Sequence, residues 1–395
     1  MTERRPEVAD VLASFAALYR ERYRPGAEQE RVLRELPLCR TAALGGHKLE
    51  CDRCGHQEIC YNSCRNRHCP RCRASARAAW LAERQADLLG VPYFHVVFTL
   101  PDEVSALALQ NRRLCYGLLF RAAAATLRTI AADPAHLGAE IGFLAVLHTW
   151  SQTLLHHPHM HCVVPGGGIS HGATRWMACS DGFFLPVRVL SRLFRRLYLT
   201  GLHKAFAQGE LELHGRLAPL RQPLAFAAWI RRMREKEWVV YAKPPFGGPV
   251  QVLKYLARYT HRVAISNARL VAIDGEHVRF LWKDRAHGGR SRCMRLSGVE
   301  FVRRFLLHVL PRGFVRVRHF GFLANRARET KLPLVRALIA ARAAAAEAPA
   351  HEAPQSDLAV EPCREPDDRC PSCALGRMRP AGVVPPTREL APDTS

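Results

Sequence analysis

The sequence predicts an α+β fold with a zinc-binding region near its N-terminus. Helix-forming stretches alternate with short runs rich in β-branched and aromatic residues, such as residues 93–100, which end at Pro101. Half of the 14 cysteines fall within residues 39–72, in pairs with short spacings. Paired cysteines in a reducing compartment are typical of metal binding.

Helices are predicted over residues 8–22, 28–36, 74–89, 102–132, most of 185–235, a short stretch after Pro249, and 300–310. Strands are predicted over residues 93–100, 142–150 and 160–164, and as a hairpin over 270–282 that turns at Asp274-Gly275. After about residue 344, Ala, Pro, Glu and Asp dominate, so no packed core is expected there.

The charge of the chain points to a polyanionic partner. The 395 residues include 58 Lys and Arg against 35 Asp and Glu, a formal net charge of +23. Such an excess favours a nucleic-acid partner. The alternative is a soluble basic protein from an Arg-rich proteome. No apolar run is long enough for a membrane span, and residues 1–7 lack the apolar core of a signal peptide, so we expect a cytoplasmic protein.

The clearest motif is a pair of CxxC knuckles. Cys51 and Cys54 are followed, after fourteen residues, by Cys69 and Cys72. Four thiolates with this spacing can close a tetrahedron around a structural Zn²⁺, which buried free cysteines would not explain.

Further cysteines and histidines flank the two knuckles. In a cross-brace with them, a possible second zinc would have the ligands Cys39, His47, Cys64 and His68, with Cys60 left over. Arg65, Arg67 and Arg71 surround the metal region and are predicted to contact DNA phosphates. Near the C-terminus, Cys363, Cys370 and Cys373 resemble half of a zinc ribbon.

A histidine run predicts a second kind of metal site. Side chains alternate along a strand, so His159 and His161 point to the same face. Two imidazoles suit a divalent cation, Mg²⁺ or Mn²⁺, whose open positions bind a phosphate oxygen. Gln152 is predicted as the third ligand, with His148 and His157 as alternatives. A structural zinc or a solvated histidine run remains the other interpretation.

Tyr255 and Tyr259 are predicted nucleophiles. A spacing of four residues puts both phenols on one helix face. Attack on a phosphodiester would give a 5′-phosphotyrosine, which conserves the bond energy for rejoining. Lys254, Arg258 and Arg262 lie nearby and are predicted to contact DNA; the alternative is that both tyrosines only pack a helix.

Several of these motifs occur together in one known family. The chain resembles the two-tyrosine HUH rolling-circle transposases of the insertion sequence 91 family over about residues 35–327. The matching stretches are Cys64–Cys72, Phe98–Pro101, His157–His161, Tyr255–Arg262, Glu300–Phe305 and His308–Pro311.

The resemblance implies a fold and a site. His159 and His161 match the metal-binding histidines of the family, and Tyr255 and Tyr259 match its nucleophile pair. The implied core is an HUH nuclease with an antiparallel sheet, akin to a split βαβ, ferredoxin-like arrangement. The implied partners are single-stranded DNA at the ends of a transposable element and a target DNA in the bacterial nucleoid.

The domain organisation follows from these assignments. Residues 1–90 are predicted to be a helical, zinc-binding, DNA-binding domain. Residues 91–327 are predicted to be the catalytic domain, with a helical insertion near 185–235. Residues 328–395 are predicted to be a helix and a disordered tail with a possible zinc knuckle.

Two other functions fit parts of the pattern. A rolling-circle replication initiator of a plasmid or phage uses the same HUH chemistry, and terminal hairpins flanking the reading frame would favour transposition instead. A non-catalytic zinc-ribbon DNA-binding protein, with relic motifs, would form no covalent DNA adduct.

Overall fold

The protein is described from a computed structural model that covers residues 4–72, 87–180, 182, 184–243, 264–284, 287–346 and 368–387. The chain folds into two compact units, and each is described by itself. The first unit comprises Met1–Ala79, His261–Val309 and His351–Ser395; the second comprises Trp80–Thr260 and Leu310–Ala350.

The described helices are α1 (Val8–Arg22), α2 (Ala27–Glu35), α3 (Asp102–Gln110), α4 (Arg112–Ala132), α5 (Val187–Ala207), α6 (Pro223–Glu235), α7 (Gly298–Leu306) and α8 (Asn325–Ala346). The described strands are β1 (Gly46–Cys51), β2 (Gln57–Tyr61), β3 (Tyr93–Thr99), β4 (Ala139–Glu140), β5 (Phe143–Trp150), β6 (His156–Pro165), β7 (Gly167–Ser170), β8 (Trp176–Ala178), β9 (Val240–Lys243), β10 (Leu270–Asp274), β11 (His277–Asp284), β12 (Arg290–Ser297), β13 (Val317–Phe320) and β14 (Met378–Val384).

The second unit is built on a five-stranded sheet with the order β13-β5-β6-β3-β9. Every neighbouring pair in this sheet is antiparallel. Because β6 is antiparallel to both β3 and β5, those two strands run parallel with β6 between them. Helices α3 and α4 form the connection from β3 to β5.

The two faces of this sheet have different roles. Phe98, Leu147 and Met160 point to one face and are fully buried in the core that also contains α4, α5 and α6. Helix α4 is long and apolar enough to cross a membrane, but 72% of its most apolar stretch is buried within the protein. It is therefore the central helix of this core.

The first unit contains two smaller sheets and a helix pair. Helix α1 packs on the start of α7 so closely that a Cβ on Gly298 would lie 2.3 Å from the ring of Phe15. The sheets have the orders β14-β1-β2 and β10-β11-β12. The hairpin predicted over residues 270–282 is confirmed, and Gly275 adopts the positive φ of +54° that its turn requires.

The long helix predicted over residues 102–132 is interrupted at Asn111. The backbone of Asn111 leaves the helical region (φ −112°, ψ 48°). Its side-chain amide donates to the carbonyl of Glu212 and accepts from the amide of Glu212, both at 2.8 Å. This local pairing between side chain and backbone competes with helix continuation.

The C-terminal region differs most from its prediction. Residues 378–384 form β14, which pairs with β1, although the composition predicted no ordered structure there. The two compact units are assembled from separated segments, whereas the predicted domains were contiguous stretches divided at 90 and 327. The helix predicted after Pro249 and most of the one predicted over 74–89 lie outside the described residues.

Candidate metal centres

Three histidines meet on the face of the five-stranded sheet opposite to the α4 core. His159 and His161 lie on the central strand β6, in register with Thr99 and Val97 of β3. On the other side of β6, His148 of β5 stands directly opposite His159. Directly opposed residues of antiparallel strands point to the same face, so the register brings three imidazoles together.

The geometry of this histidine cluster suits one cation. One nitrogen from each of His148, His159 and His161 lies within 4.8 Å of the other two. The ring centroid of His148 is 4.3 Å from that of His161 and 5.4 Å from that of His159. His148 and His161 are buried, with 2% and 7% of their surface exposed, and His159 is half-buried. The cluster therefore opens to solvent on the His159 side.

His148 is the third histidine of the cluster, one of the two alternatives to Gln152 that the sequence left open. Gln152 lies in the turn that joins β5 to β6, and its role as a ligand stays a prediction. The other alternative, His157, has its ring centroid 5.4 Å from that of His159 but is not among the three clustered nitrogens.

Hydrogen bonds orient the rings of the cluster. Nδ1 of His159 lies 2.7 Å from the carbonyl oxygen of His157, to which it donates. Nδ1 of His161 lies 2.7 Å from Nε2 of His95, and these two rings stack almost in parallel. When both Nδ1 atoms donate, Nε2 of His159 and Nε2 of His161 are the nitrogens suited to a metal, an arrangement typical of metal-binding imidazoles. Trp150 stacks on His148 with ring centroids 4.4 Å apart.

His95 is held in its neutral form. Burial, with smaller contributions from the charges of Lys243 and His159, lowers the pKa of His95 to about 3. A neutral imidazole has one donor and one acceptor nitrogen. When Nε2 of His95 accepts from Nδ1–H of His161, the lone pair of His161 is on Nε2, as metal binding requires.

The predicted nucleophiles and three of the predicted DNA-contacting residues lie outside the described residues. These are Tyr255, Tyr259, Lys254, Arg258 and Arg262. Their roles stay predictions.

A first cysteine cluster contains Cys39, Cys64, Cys69 and Cys72, whose sulfurs all lie within 4.8 Å of one another. The Sγ atoms of Cys64 and Cys72 are 3.8 Å apart. Four sulfurs at about 2.3 Å from one Zn²⁺ are separated by about 3.8 Å, so the spacing fits a tetrahedral zinc site. Hydrogen bonds from Cys64, Cys69 and Cys72 lower the pKa of Cys39, which favours the thiolate that zinc binds.

The predicted grouping of the two knuckles into one site is corrected by this arrangement. Cys51 and Cys54 do not join Cys69 and Cys72; they lie instead beside Cys370 and Cys373. The reason is that β1 ends at Cys51 and pairs with β14, which brings the C-terminal knuckle to the first one.

The proposed second ligand set is corrected as well. Cys39 and Cys64 belong to the first cluster, but neither His47 nor His68 does. His47 is exposed on β1, opposite Cys60 of β2. His68 is buried, and its Nδ1 lies 3.1 Å from Oδ1 of Asn66.

The three predicted arginines of this region differ in their surroundings. Arg65 is exposed next to the first cluster, and Arg67 is half-buried. Arg71 forms an ion pair with Glu7 and donates to the carbonyl oxygen of Cys39 at 2.6 Å. Arg71 thus links the start of α1 to the cysteine cluster, and DNA contacts by these three arginines stay predictions.

Comparisons with known proteins identify transposase and zinc-binding regions in this chain. A family model described as "Putative transposase" matches residues 142–331, and one described as "Transposase zinc-binding domain" matches residues 11–100. The chain is 57% identical over 374 residues to the "Putative transposase y4qJ" of Sinorhizobium fredii (strain NBRC 101917 / NGR234), covering 94% of both chains. The chain belongs to the insertion sequence 91 family of transposases.

A more distant relative carries the same designation. The chain is 29% identical over 317 residues to the "Transposase for insertion sequence element IS801" of Pseudomonas savastanoi pv. phaseolicola, covering 78% of this chain and 73% of that protein. No solved structure matches the chain. Membership of this transposase family implies DNA binding, and both cysteine clusters lie in the first unit, which contains residues 11–79 of the stretch matched by the zinc-binding model.

Sequence reasoning missed two features of this transposase. His95 lies two residues before Val97 on β3 and so shares the face of His161, but the pairing of β3 with β6 was needed to see it. The partnership between Cys51 and Cys373 had no local signal, because these cysteines are 322 residues apart. The sequence gives one sign of this role: His95 and Val97 are two residues apart, so both point to the same face of β3.

Removing His148 should weaken cation binding. In His148→Ala, we expect the affinity for Mn²⁺ to fall by more than the roughly 10–100-fold that loss of a residue hydrogen-bonded to a metal ligand costs. Isothermal titration of the purified chain measures this directly. The matched control is His157→Ala, which removes a neighbouring imidazole outside the cluster. Equal losses in the two variants would contradict the assignment of His148.

Removing the acceptor on His95 should weaken the same site indirectly. In His95→Phe, Nδ1–H of His161 loses its acceptor, and we expect the Mn²⁺ affinity to fall about 10–100-fold. His95→Gln, which retains a side-chain acceptor, should recover part of the loss. If both variants bind Mn²⁺ as the parent does, His95 has no part in orienting His161.

Proposed function

We propose that this chain is a rolling-circle transposase that nicks single-stranded DNA at the ends of its element and transfers the strand to a target. The observation that carries the proposal is the cluster of His148, His159 and His161 on the central sheet of a transposase family member. Tyr255 and Tyr259 are proposed as the nucleophiles.

The histidine cluster is proposed as the catalytic cation site. Its donors are imidazole nitrogens, which suit Mn²⁺ better than Mg²⁺, since magnesium prefers oxygen ligands. Three protein ligands leave positions open, and a bound cation there would polarise a phosphate oxygen. The solvent-facing side of His159 gives the DNA backbone access to this site.

The proposed chemistry exchanges one phosphodiester for another. A phenol oxygen of Tyr255 or Tyr259 attacks phosphorus, the bond from phosphorus to the 3′ oxygen breaks, and a 5′-phosphotyrosine forms. The phenol gives up its proton and the departing 3′ oxygen gains one. A free tyrosine has a pKa of about 10, so it needs nearby positive charge, for which Lys254 and Arg258 are proposed.

The sheet topology supports an HUH-type core for this chemistry. The parallel strands β3 and β5, joined through helices and separated by the antiparallel β6, form the split βαβ arrangement of ferredoxin-like folds. The paired histidines sit on the central strand of that arrangement. Of the two kinds of rolling-circle enzyme, transposase and replication initiator, the zinc-binding domain and the relatives favour the transposase.

Positive charge is available for the DNA backbone in both units. In the second unit, Arg188, Arg192 and Arg196 repeat every four residues along α5 and are exposed. In the first unit, Arg65 is exposed beside the zinc cluster. Such side chains neutralise phosphates without reading sequence. We propose that the protein acts in the cytoplasm, on DNA of the bacterial nucleoid.

A covalent adduct would test the proposal. Purified protein incubated with end-derived single-stranded oligonucleotides and Mn²⁺ should form an adduct that withstands denaturation and is resolved by gel electrophoresis. We expect Tyr255→Phe combined with Tyr259→Phe to abolish the adduct, because no phenol remains to attack phosphorus. The matched control is Tyr23→Phe in the first unit, which should keep it.

Three outcomes would contradict the proposal. Adduct formation in the double phenylalanine variant would remove both tyrosines from the reaction. An adduct that forms without Mn²⁺ or Mg²⁺ would show that the reaction needs no divalent cation. Failure of the parent to form any adduct, with DNA binding retained, would favour the non-catalytic zinc DNA-binding protein.

A further inference from the structure

Four cysteines from opposite ends of the chain meet in the first unit. Cys51 and Cys54 form the first knuckle, and Cys370 and Cys373 form another knuckle more than 300 residues later. All four sulfurs lie within 4.8 Å of one another. Residues 370 and 373 lie outside both stretches matched by the family models, which end at residue 331.

The sulfur spacings fit one tetrahedral zinc ion. Sγ of Cys51 is 3.7 Å from Sγ of Cys373, and Sγ of Cys54 is 3.6 Å from Sγ of Cys370. Thiolates about 2.3 Å from one Zn²⁺ are about 3.8 Å apart, whereas a disulfide would bring two sulfurs to about 2.05 Å. The arrangement matches the metal site and not a pair of disulfides.

Backbone amides point at these sulfurs from both knuckles. The amides of Arg53 and Cys54 lie 3.4 and 3.5 Å from Sγ of Cys51. In the second knuckle, the amide of Gly376 lies 3.3 Å from Sγ of Cys373. Amide donors stabilise the negative charge of thiolates, so each knuckle is prepared for a cation.

Hydrogen bonds and a close approach of the backbone also join the two knuckles. The amide of Arg377 donates to Oδ1 of Asp52 at 2.8 Å, and the amide of Asp52 donates to the carbonyl of Arg377 at 3.1 Å. A Cβ on Gly376 would lie 2.4 Å from Sγ of Cys51, so only glycine permits this approach. Beyond the knuckles, β14 continues along β1 from Met378 opposite Cys51 to Val384 opposite Gly46.

We infer that Cys51, Cys54, Cys370 and Cys373 bind a structural Zn²⁺, distinct from the Cys39 cluster, and that the C-terminal segment completes the zinc-binding domain. The site is a zinc ribbon divided between the two ends of the chain. The metal holds β14 against the β1–β2 hairpin. The residues of these three strands are mostly exposed or half-buried, so the strands supply little apolar burial of their own. The inference is independent of the proposed nuclease chemistry.

Zinc counting on the full chain tests this site. We expect Cys370→Ser combined with Cys373→Ser to lower the zinc content by one ion per chain, measured by mass spectrometry of the elements. Cys51→Ser combined with Cys54→Ser should also remove one ion. Combining all four substitutions should still remove only one, because all four cysteines share it. Cys293→Ser, at an exposed cysteine outside the clusters, should remove none.

The inference is overturned if the Cys370/Cys373 variant retains all its zinc, or if each double variant loses one ion and the fourfold variant loses two. Single substitutions guard against general unfolding. In the ¹¹³Cd-loaded chain, Cys54→Ser and Cys373→Ser should shift the same cadmium resonance, while Cys64→Ser shifts another. Different resonances for Cys54 and Cys373, or no shift in Cys373→Ser, would contradict a shared ion.

Discussion

The register of β6 between β5 and β3 is the constraint on which the candidate active site depends. That register sets His148 opposite His159 and Val97 opposite His161, so that three imidazoles share one face. A slip of one residue would turn His159 and His161 into the apolar core and Met160 out of it. The register of β5 with β6 shifts between His148 and Trp150, directly next to the cluster, where a bulge can re-aim a side chain.

Packing on the two faces of the sheet enforces this register. Phe98, Leu147 and Met160 fill the core against the helices, so sliding β6 would expose apolar surface and bury imidazoles without partners. The histidine face is in turn organised by polar contacts, above all the bond from His161 to His95. One face of β6 therefore packs in the core and stabilises the fold, and the other face holds the candidate nitrogen ligands.

Features with a local signal could be predicted from the sequence. Alternation along one strand placed His159 and His161 together, and CxxC spacing identified Cys51 with Cys54 and Cys69 with Cys72 as knuckles. The partners of these motifs could not be predicted, because pairing between distant segments decides them. His148 depends on the register of β5 with β6, and Cys370 depends on β14 returning to β1. The ordered β14 segment was missed for the same reason: its stability comes from backbone pairing and cysteines, not from apolar composition.

A cation bound to the active protein should have His148, His159 and His161 as its protein ligands. Pulsed electron paramagnetic resonance of the Mn²⁺-loaded chain, labelled with ¹⁵N in its histidines, counts the imidazole nitrogens coupled to the metal. We expect three nitrogens coupled to Mn²⁺ in the parent and two in a variant that lacks any one imidazole of the cluster. A preparation that cuts single-stranded DNA while its Mn²⁺ shows no histidine coupling would contradict this assignment.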